Sequence, residues 1–180
     1  MKALLDACVL YPTVLREILI GVARAGLYVP LWSDRILEEW ARAVVKLGHG
    51  AELVARGEIA ALKAAFPAAC VAPREALAAR LWLPDPGDVH VLAAAVAGGA
   101  DVIVTFNAAD FPRGVLAEEG LGREDPDRFL LALWQGAPGT VAGVVETVRA
   151  EAERLSGEAQ PLRPLLKRAK LPRLGKALVG

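Results

Sequence analysis

Asp101-Val-Ile-Val-Thr105 is apolar on both faces, which suits a strand in the middle of a parallel sheet with helices covering both sides. The small, apolar stretch Val89 to Ala97 precedes it and reads as a buried helix closed by Gly98-Gly99. Helix then strand is the rhythm of the whole chain. Lys2-Ala-Leu-Leu is a short apolar run that stops at Asp6, and Pro12-Thr13 opens a helical pattern through Ile18, Leu19 and Val22 to Gly26. Tyr28-Val-Pro-Leu31 is another short apolar segment. Ser33 is placed to cap a helix carrying Ile36, Leu37, Trp40, Val44 and Leu47, which Gly48 and Gly50 end. A second amphipathic helix runs from Glu52 to Ala65, Ala69-Cys70-Val71 is a candidate strand, and residues 74 to 82 form a helical turn or two. Asp125-Pro126 caps a helix holding Phe129, Leu130, Leu133 and Trp134, and a further helix runs from Pro138 to about Leu155. Strands spaced by helices predict an α/β fold with a central parallel sheet.

Composition narrows the class. With 180 residues, 54% of them hydrophobic and 23% charged, the chain is expected to fold without staples and not to be disordered. Cys8 and Cys70 make neither a CxxC zinc cage nor a disulfide framework, so a reducing cytoplasm is the expected location. The apolar run ending at Asp6 is too short for a signal-peptide core. The longest uncharged stretch, Phe129 to Val145, is broken by Gly136, Pro138 and Gly139, so no membrane span is expected. The formal net charge of zero hides a division. Residues 1 to 160 hold 15 basic and 21 acidic side chains, a net of −6, whereas Arg163, Lys167, Arg168, Lys170, Arg173 and Lys176 give the last 20 residues +6. That tail either holds nucleic-acid phosphates, with Arg163, Lys167, Arg168 and Lys170 as the contacts, or is a solvated helix whose Leu162, Leu165, Leu166 and Leu171 pack on the body.

Ligands of open parallel sheets bind at the carboxyl ends of the strands. Asp6 ends the first strand, Asp88 begins the buried helix, Asp110 follows Thr105 by five residues, and Glu38-Glu39 lies in the first turns of the helix after Leu31. Carboxylates from four segments would converge at one end of the sheet. Such groups repel unless a cation binds among them, and hard oxygen donors suit Mg2+ or Mn2+. Each residue also has an ordinary reading. Asp6, Asn107 and Asp110 are turn formers, Asp88 is a helix cap, and Glu38 and Glu39 are a solvated face. Ser33 and Thr105 are placed to hydrogen-bond the carboxylates from behind, although Ser33 is first a cap. His90, two residues after Asp88, points away from it on a helix and reads as structural or as a substrate contact. Trp32 and Trp82 either stack on a substrate's rings or belong to the core.

Four spellings sharpen this reading: Leu5-Asp6-Ala-Cys-Val-Leu10, Ser33-Asp-Arg-Ile-Leu-Glu-Glu39, Leu83-Pro-Asp-Pro-Gly-Asp88-Val-His90-Val-Leu-Ala-Ala-Ala95 and Val104-Thr105-Phe-Asn107-Ala-Ala-Asp110-Phe111-Pro112. In order, they resemble the four signature segments of the PIN-domain family. The likeness is closest to bacterial PIN proteins of toxin–antitoxin pairs, related to VapC-type ribonucleases. It implies a three-layer α/β/α domain over residues 1–120 and a helical extension with a basic tail over residues 121–180. It also implies a Mg2+- or Mn2+-dependent endoribonuclease, a small antitoxin partner and a homo-oligomer. Matched motif by motif, the family's acids fall on Asp6, on Glu39 with Glu38 as its neighbour, on Asp88, and on Asp110, with Asn107 at the alternative place. Ser33, Thr105 and Asn107 would orient them. Cys8 stands where such proteins usually have Asn, Thr or Ser. Two other classes compete. One is a noncatalytic PIN-like RNA-binding or scaffold protein. The other is a phosphoryl-transfer domain with Asp6 as acceptor, which needs a lysine near a strand end, and none occurs between residues 64 and 166.

Overall fold

The computed structural model describes residues 1–180. Its strands are β1 (Lys2–Leu5), β2 (Val29–Leu31), β3 (Val102–Val104) and β4 (Gly122–Glu124). Its helices are α1 (Ala7–Leu10), α2 (Thr13–Arg24), α3 (Asp34–Ala43), α4 (Ala51–Ala65), α5 (Glu75–Arg80), α6 (Val89–Gly98), α7 (Arg113–Glu118), α8 (Pro126–Gly136), α9 (Pro138–Ser156), α10 (Leu162–Arg168) and α11 (Pro172–Val179). Tight 3-10 turns cover Val45–Leu47 and Pro86–Asp88. This is the expected α/β/α class with a parallel sheet and a helical C-terminal part. The residues group into two compact units, Met1–Tyr11 with Val29–Glu124, and Pro12–Tyr28 with Asp125–Gly180.

The first unit holds a four-stranded sheet ordered β2-β1-β3-β4, parallel throughout. Apolar residues decide which strands are central. Ala3, Leu4 and Leu5 of β1 and all three residues of β3 are buried, as strands with neighbours on either edge must be. The carboxylate of Asp101 accepts a 2.6 Å bond from the Lys2 amide and pins the start of the β1–β3 pair. Gly98 and Gly99 divide the work of ending α6. A Cβ on Gly98 would meet Leu31 Cδ1 and Val71 Cγ2 at 2.9 Å, and Gly99 takes the left-handed turn at φ +63°. Ser33 caps α3 as expected, its hydroxyl accepting from the Ile36 amide.

Some expectations change. Ala69–Val71 makes a single parallel bridge, Trp32 to Cys70, because only the Trp32 backbone is available to pair with it. Trp32 is 0% exposed and edge-on to Phe66 at 5.9 Å, so it is core and unable to stack on a base. Trp82 is 65% exposed. Strand β4 reads Gly-Arg-Glu and carries no apolar pattern, and its ladder with β3 alone defines it.

The second unit is helical. α2 packs on α9, where Gly21 lets Val144 approach to within 2.6 Å of the place a Cβ would take. Tyr28 meets Phe129 edge-on at 5.0 Å, and its hydroxyl donates to the Leu19 carbonyl. The basic tail is two short helices. Leu165, Leu166, Leu171 and Leu174 are buried, and α11 packs on α8 and α10. Asp127, 4% exposed, accepts from the amides of Arg173 and Leu174 at 2.9 Å each, so its charge meets the positive end of α11. No helix is long and apolar enough to cross a membrane.

Candidate functional site

Because β1 pairs with β3, the residues just beyond them lie side by side at the carboxyl edge of the sheet. Thr105 Oγ1 donates to Asp6 Oδ2 at 2.7 Å across 99 positions of sequence. Cys8 Sγ donates to the same oxygen at 3.1 Å. The loop after β3 locks these donors in place. The Asn107 amide donates to Thr105 Oγ1, and the Phe106 amide donates to Cys8 Sγ. Asp6 is 6% exposed and precedes α1, yet its side chain caps nothing. Burial, with the Asp6 charge second, pushes the Cys8 thiol up to about 12, so it keeps its proton and acts as the donor at this position.

The two glutamates of α3 part company. Glu38 is held by Arg56 through both oxygens and by Arg42 Nε at 2.9 Å, and these bonds bring its carboxyl down to about 2. Glu39 turns toward α6. Its Oε1 lies 2.8 Å from His90 Nε2 and 3.4 Å from Arg35 Nε, and burial first, then the Asp6 charge, raises its carboxyl above the usual range, against the lowering effect of Arg35. Burial first and Arg35 second push the His90 imidazole down to about 4, so it is neutral at pH 7.

Asp88 closes the turn before α6. Asp85, whose Oδ1 accepts from the Gly87 amide, does the capping there, and the Asp88 side chain makes no capping bond. Its carboxyl is pushed up to about 6, by burial first and then by the charges of Asp6, Asp110, Asp85 and Glu39. One electrostatic neighbourhood thus takes in Asp6, Glu39, Asp88 and Asp110 and leaves out Glu38. Asp110 is half-buried in the loop after β3, its amide bonded to the Asn107 carbonyl. Asn107 itself is exposed and contributes its backbone amide to Thr105, while the Ser33 hydroxyl is taken up by its helix. No three of the histidine, cysteine, aspartate and glutamate side chains are grouped closely enough to cage an ion as they stand.

The tail cations lie in the second unit. Arg163 and Lys167 are exposed on α10, Arg168 donates to Gln160 Oε1 at 2.7 Å, and Lys170 is exposed with a left-handed backbone at φ 60°. Two contacts were not legible in the sequence. One is the approach of His90 to Glu39, whose only signal was that His90 must face away from Asp88. The other is the thiol bond to Asp6, for which the signal was that Cys8 stands where such proteins usually have Asn, Thr or Ser.

A family model described as a PIN domain matches residues 2–109. Neither the curated proteins nor the solved structures give a match. The matched span contains β1, β2 and β3 with Asp6, Glu39 and Asp88, and it stops one residue before Asp110. PIN domains are typically nucleases and usually use divalent metals. With a match over more than half of its 180 residues, the chain belongs to the PIN domain family.

Proposed function

We propose that this protein is a divalent-metal-dependent endoribonuclease that hydrolyses RNA phosphodiester bonds, with Asp6, Glu39, Asp88 and Asp110 holding Mg2+ or Mn2+. The observation that carries the reading is Asp88, a half-buried carboxylate lifted to about 6 by burial and by the charges of other acids. A cation among these groups would remove the repulsion. The donor set fits such an ion, since every candidate offers oxygen. Mg2+ commonly keeps several waters and takes only one or two carboxylates directly, which suits a cluster that is not closed.

When bound, the ion supplies Lewis-acid polarisation of a phosphate oxygen and a water of lowered pKa. The chain's own part is positioning. Thr105 and Cys8 hold one oxygen of Asp6 in a fixed rotamer. Glu39, Asp88 and Asp110 add negative charge around it, so the metal-free cluster repels an RNA backbone and the loaded one accepts it. Arg163, Lys167, Arg168 and Lys170 would supply phosphate contacts that the acidic part of the chain lacks. The motif resemblance further supports a toxin's role in the cytoplasm, with a small antitoxin protein as partner and a homo-oligomeric state.

Purified protein should cut single-stranded RNA with Mg2+ or Mn2+ and stop in EDTA, and Asp6→Asn and Asp88→Asn should each abolish cutting. Unchanged cutting in both variants would sink the mechanism. Cys8, standing where such proteins usually have Asn, Thr or Ser, favours one rival, a noncatalytic RNA-binding PIN protein. Calorimetric titration separates the two readings, because the rival takes up no divalent ion saturably.

A further inference from the structure

We infer that the cavity beside Glu39 is a binding pocket for one nucleobase of the RNA substrate. It rests on the nuclease reading, in which the acids hold a phosphate through their cation, and gives the attached base a place.

The cavity measures about 290 Å³ and lies within the first unit, between the start of α3, residues 71–74, α5 and α6. That is near the lower end of the ~300–1,000 Å³ usual for small-molecule sites, and close-packed interiors hold few voids larger than a water. The space is open because the residues facing it are short. Ala78 of α5 and Ala93 and Ala94 of α6 stand where longer side chains would fill it.

The walls select the occupant. Val71, Ala78, Ala93 and Ala94 present apolar surface, whereas Arg35, Arg74 and Glu75 bring charge to the same space. Asp34 borders it too, but its carboxylate accepts from Lys63 Nζ at 2.7 Å. Arg74 and Glu75 are exposed and pair with no other side chain. A hydrocarbon would leave the charged groups unused, and a bare phosphate or sugar would leave the apolar walls unused. A nucleobase has two apolar faces and an edge of donors and acceptors, and unstacked bases of single-stranded RNA are read through both. Glu75 can accept from a base's N–H groups, and Arg74 can donate to its ring nitrogens or carbonyls.

The cavity also adjoins the acids. Arg35 and His90 line it and lie against Glu39: Arg35 Nε donates to Glu39 Oε1 at 3.4 Å, and His90 Nε2 lies 2.8 Å from that oxygen. Arg35 Nη2 also donates to the Gly87 carbonyl at 3.3 Å, one residue before Asp88. One layer of side chains therefore separates the cavity from Glu39, and a nucleotide with its phosphate among the acids would straddle that layer. Both Arg35 bonds are long and its side chain is 61% exposed, so the guanidinium is loosely held and can turn to stack on a base.

Calorimetric titration of the full chain tests this, with the four nucleoside 5′-monophosphates and ribose 5-phosphate in Mn2+, and with the four nucleosides in EDTA. At least one nucleotide should bind about tenfold or more tightly than ribose 5-phosphate, the scale of one stacked base. Ala78→Leu and Ala94→Leu narrow the cavity from different helices. In either variant that unfolds cooperatively and takes up Mn2+ as wild type does, the preference for the nucleotide should vanish. Joint Arg74→Ala and Glu75→Ala changes, at exposed positions that spare the packing, should cut the preference severalfold. Equal binding of ribose 5-phosphate and all four nucleotides overturns the inference. So does a preference that survives undiminished in the leucine variants or in the double variant. A wild-type chain that takes up no Mn2+ removes the metal site instead, and the nucleosides then decide. One that binds wild type in EDTA but not Ala78→Leu supports the pocket, and no nucleoside binding overturns it.

Discussion

Replacing Asp88 by asparagine should stabilise the metal-free protein while removing its response to divalent ions. The Asp88 carboxyl is raised from an ordinary value near 3.8 to about 6, by burial first and neighbouring charges second. At roughly 1.4 kcal/mol per unit, the full shift corresponds to about 3 kcal/mol against the charged form. Asp88 is only partly buried, and water screens much of this, so about 1 kcal/mol is the expected gain. No cap is lost with the carboxylate, since its side chain makes no capping bond. The sign follows from the raised folded value. Below pH 4 the group is protonated in both states and adds nothing. As the pH rises from 4 toward 6 the unfolded chain ionises first, wild-type stability falls, and above 6 the deficit is constant. In EDTA at pH 8, Asp88→Asn should melt roughly 2–4 °C above wild type. At pH 4 the difference should vanish. Millimolar Mg2+ should then raise the wild-type melting temperature and leave the variant's where it was. A variant less stable than wild type at pH 8, or one shifted equally at both pH values, would refute the idea that Asp88 sits in a field of unshielded carboxylates.

Thr105→Val removes a buried donor to Asp6 and the acceptor of the Asn107 amide, so urea unfolding should show a loss of about 1–3 kcal/mol. The same change should weaken Mn2+ binding about tenfold, read by calorimetry. Asp127→Ala uncaps α11, and the second unit should lose about 2 kcal/mol in thermal unfolding; wild-type stability would mean that the two amide bonds contribute nothing. Substituting Arg163, Lys167, Arg168 and Lys170 by alanine should lower the slope of log RNA affinity against log salt by roughly 0.7 per lost phosphate contact. An unaltered slope would assign the tail a structural role. Point changes suit this test better than deletion of residues 161–180, which would also remove the buried Leu165, Leu166, Leu171 and Leu174.

Which parts were legible follows from where each signal resides. β1 and β3 are readable because central parallel strands are apolar on both faces, and α3 and α8 are readable because Ser33 and Asp125 announce them locally. β4 is not, because an edge strand of Gly-Arg-Glu owes its conformation to a partner and not to its own side chains. Asp6 and Asp88 could be picked out by their places at a strand end and a helix start. The choice between Glu38 and Glu39 could not, since neighbours on a helix differ only in direction, and Arg56 from α4 and His90 from α6 give each direction its meaning. Likewise, nothing in the order of residues says that Thr13–Arg24 joins helices more than a hundred positions later.

The placing of β1 also bears on synthesis. It is made before the other strands of its sheet, yet it pairs on one edge with a strand that emerges about a hundred residues afterwards, and Asp6 meets Thr105 only then. Pairing of such long reach forms late, after the intervening loop has closed. A nascent chain that has not yet released β3 therefore carries Asp6, Glu39 and Asp88 without the geometry. The bond between Asp6 and Thr105 is thus a property of the assembled sheet and not of the amino-terminal segment that carries Asp6.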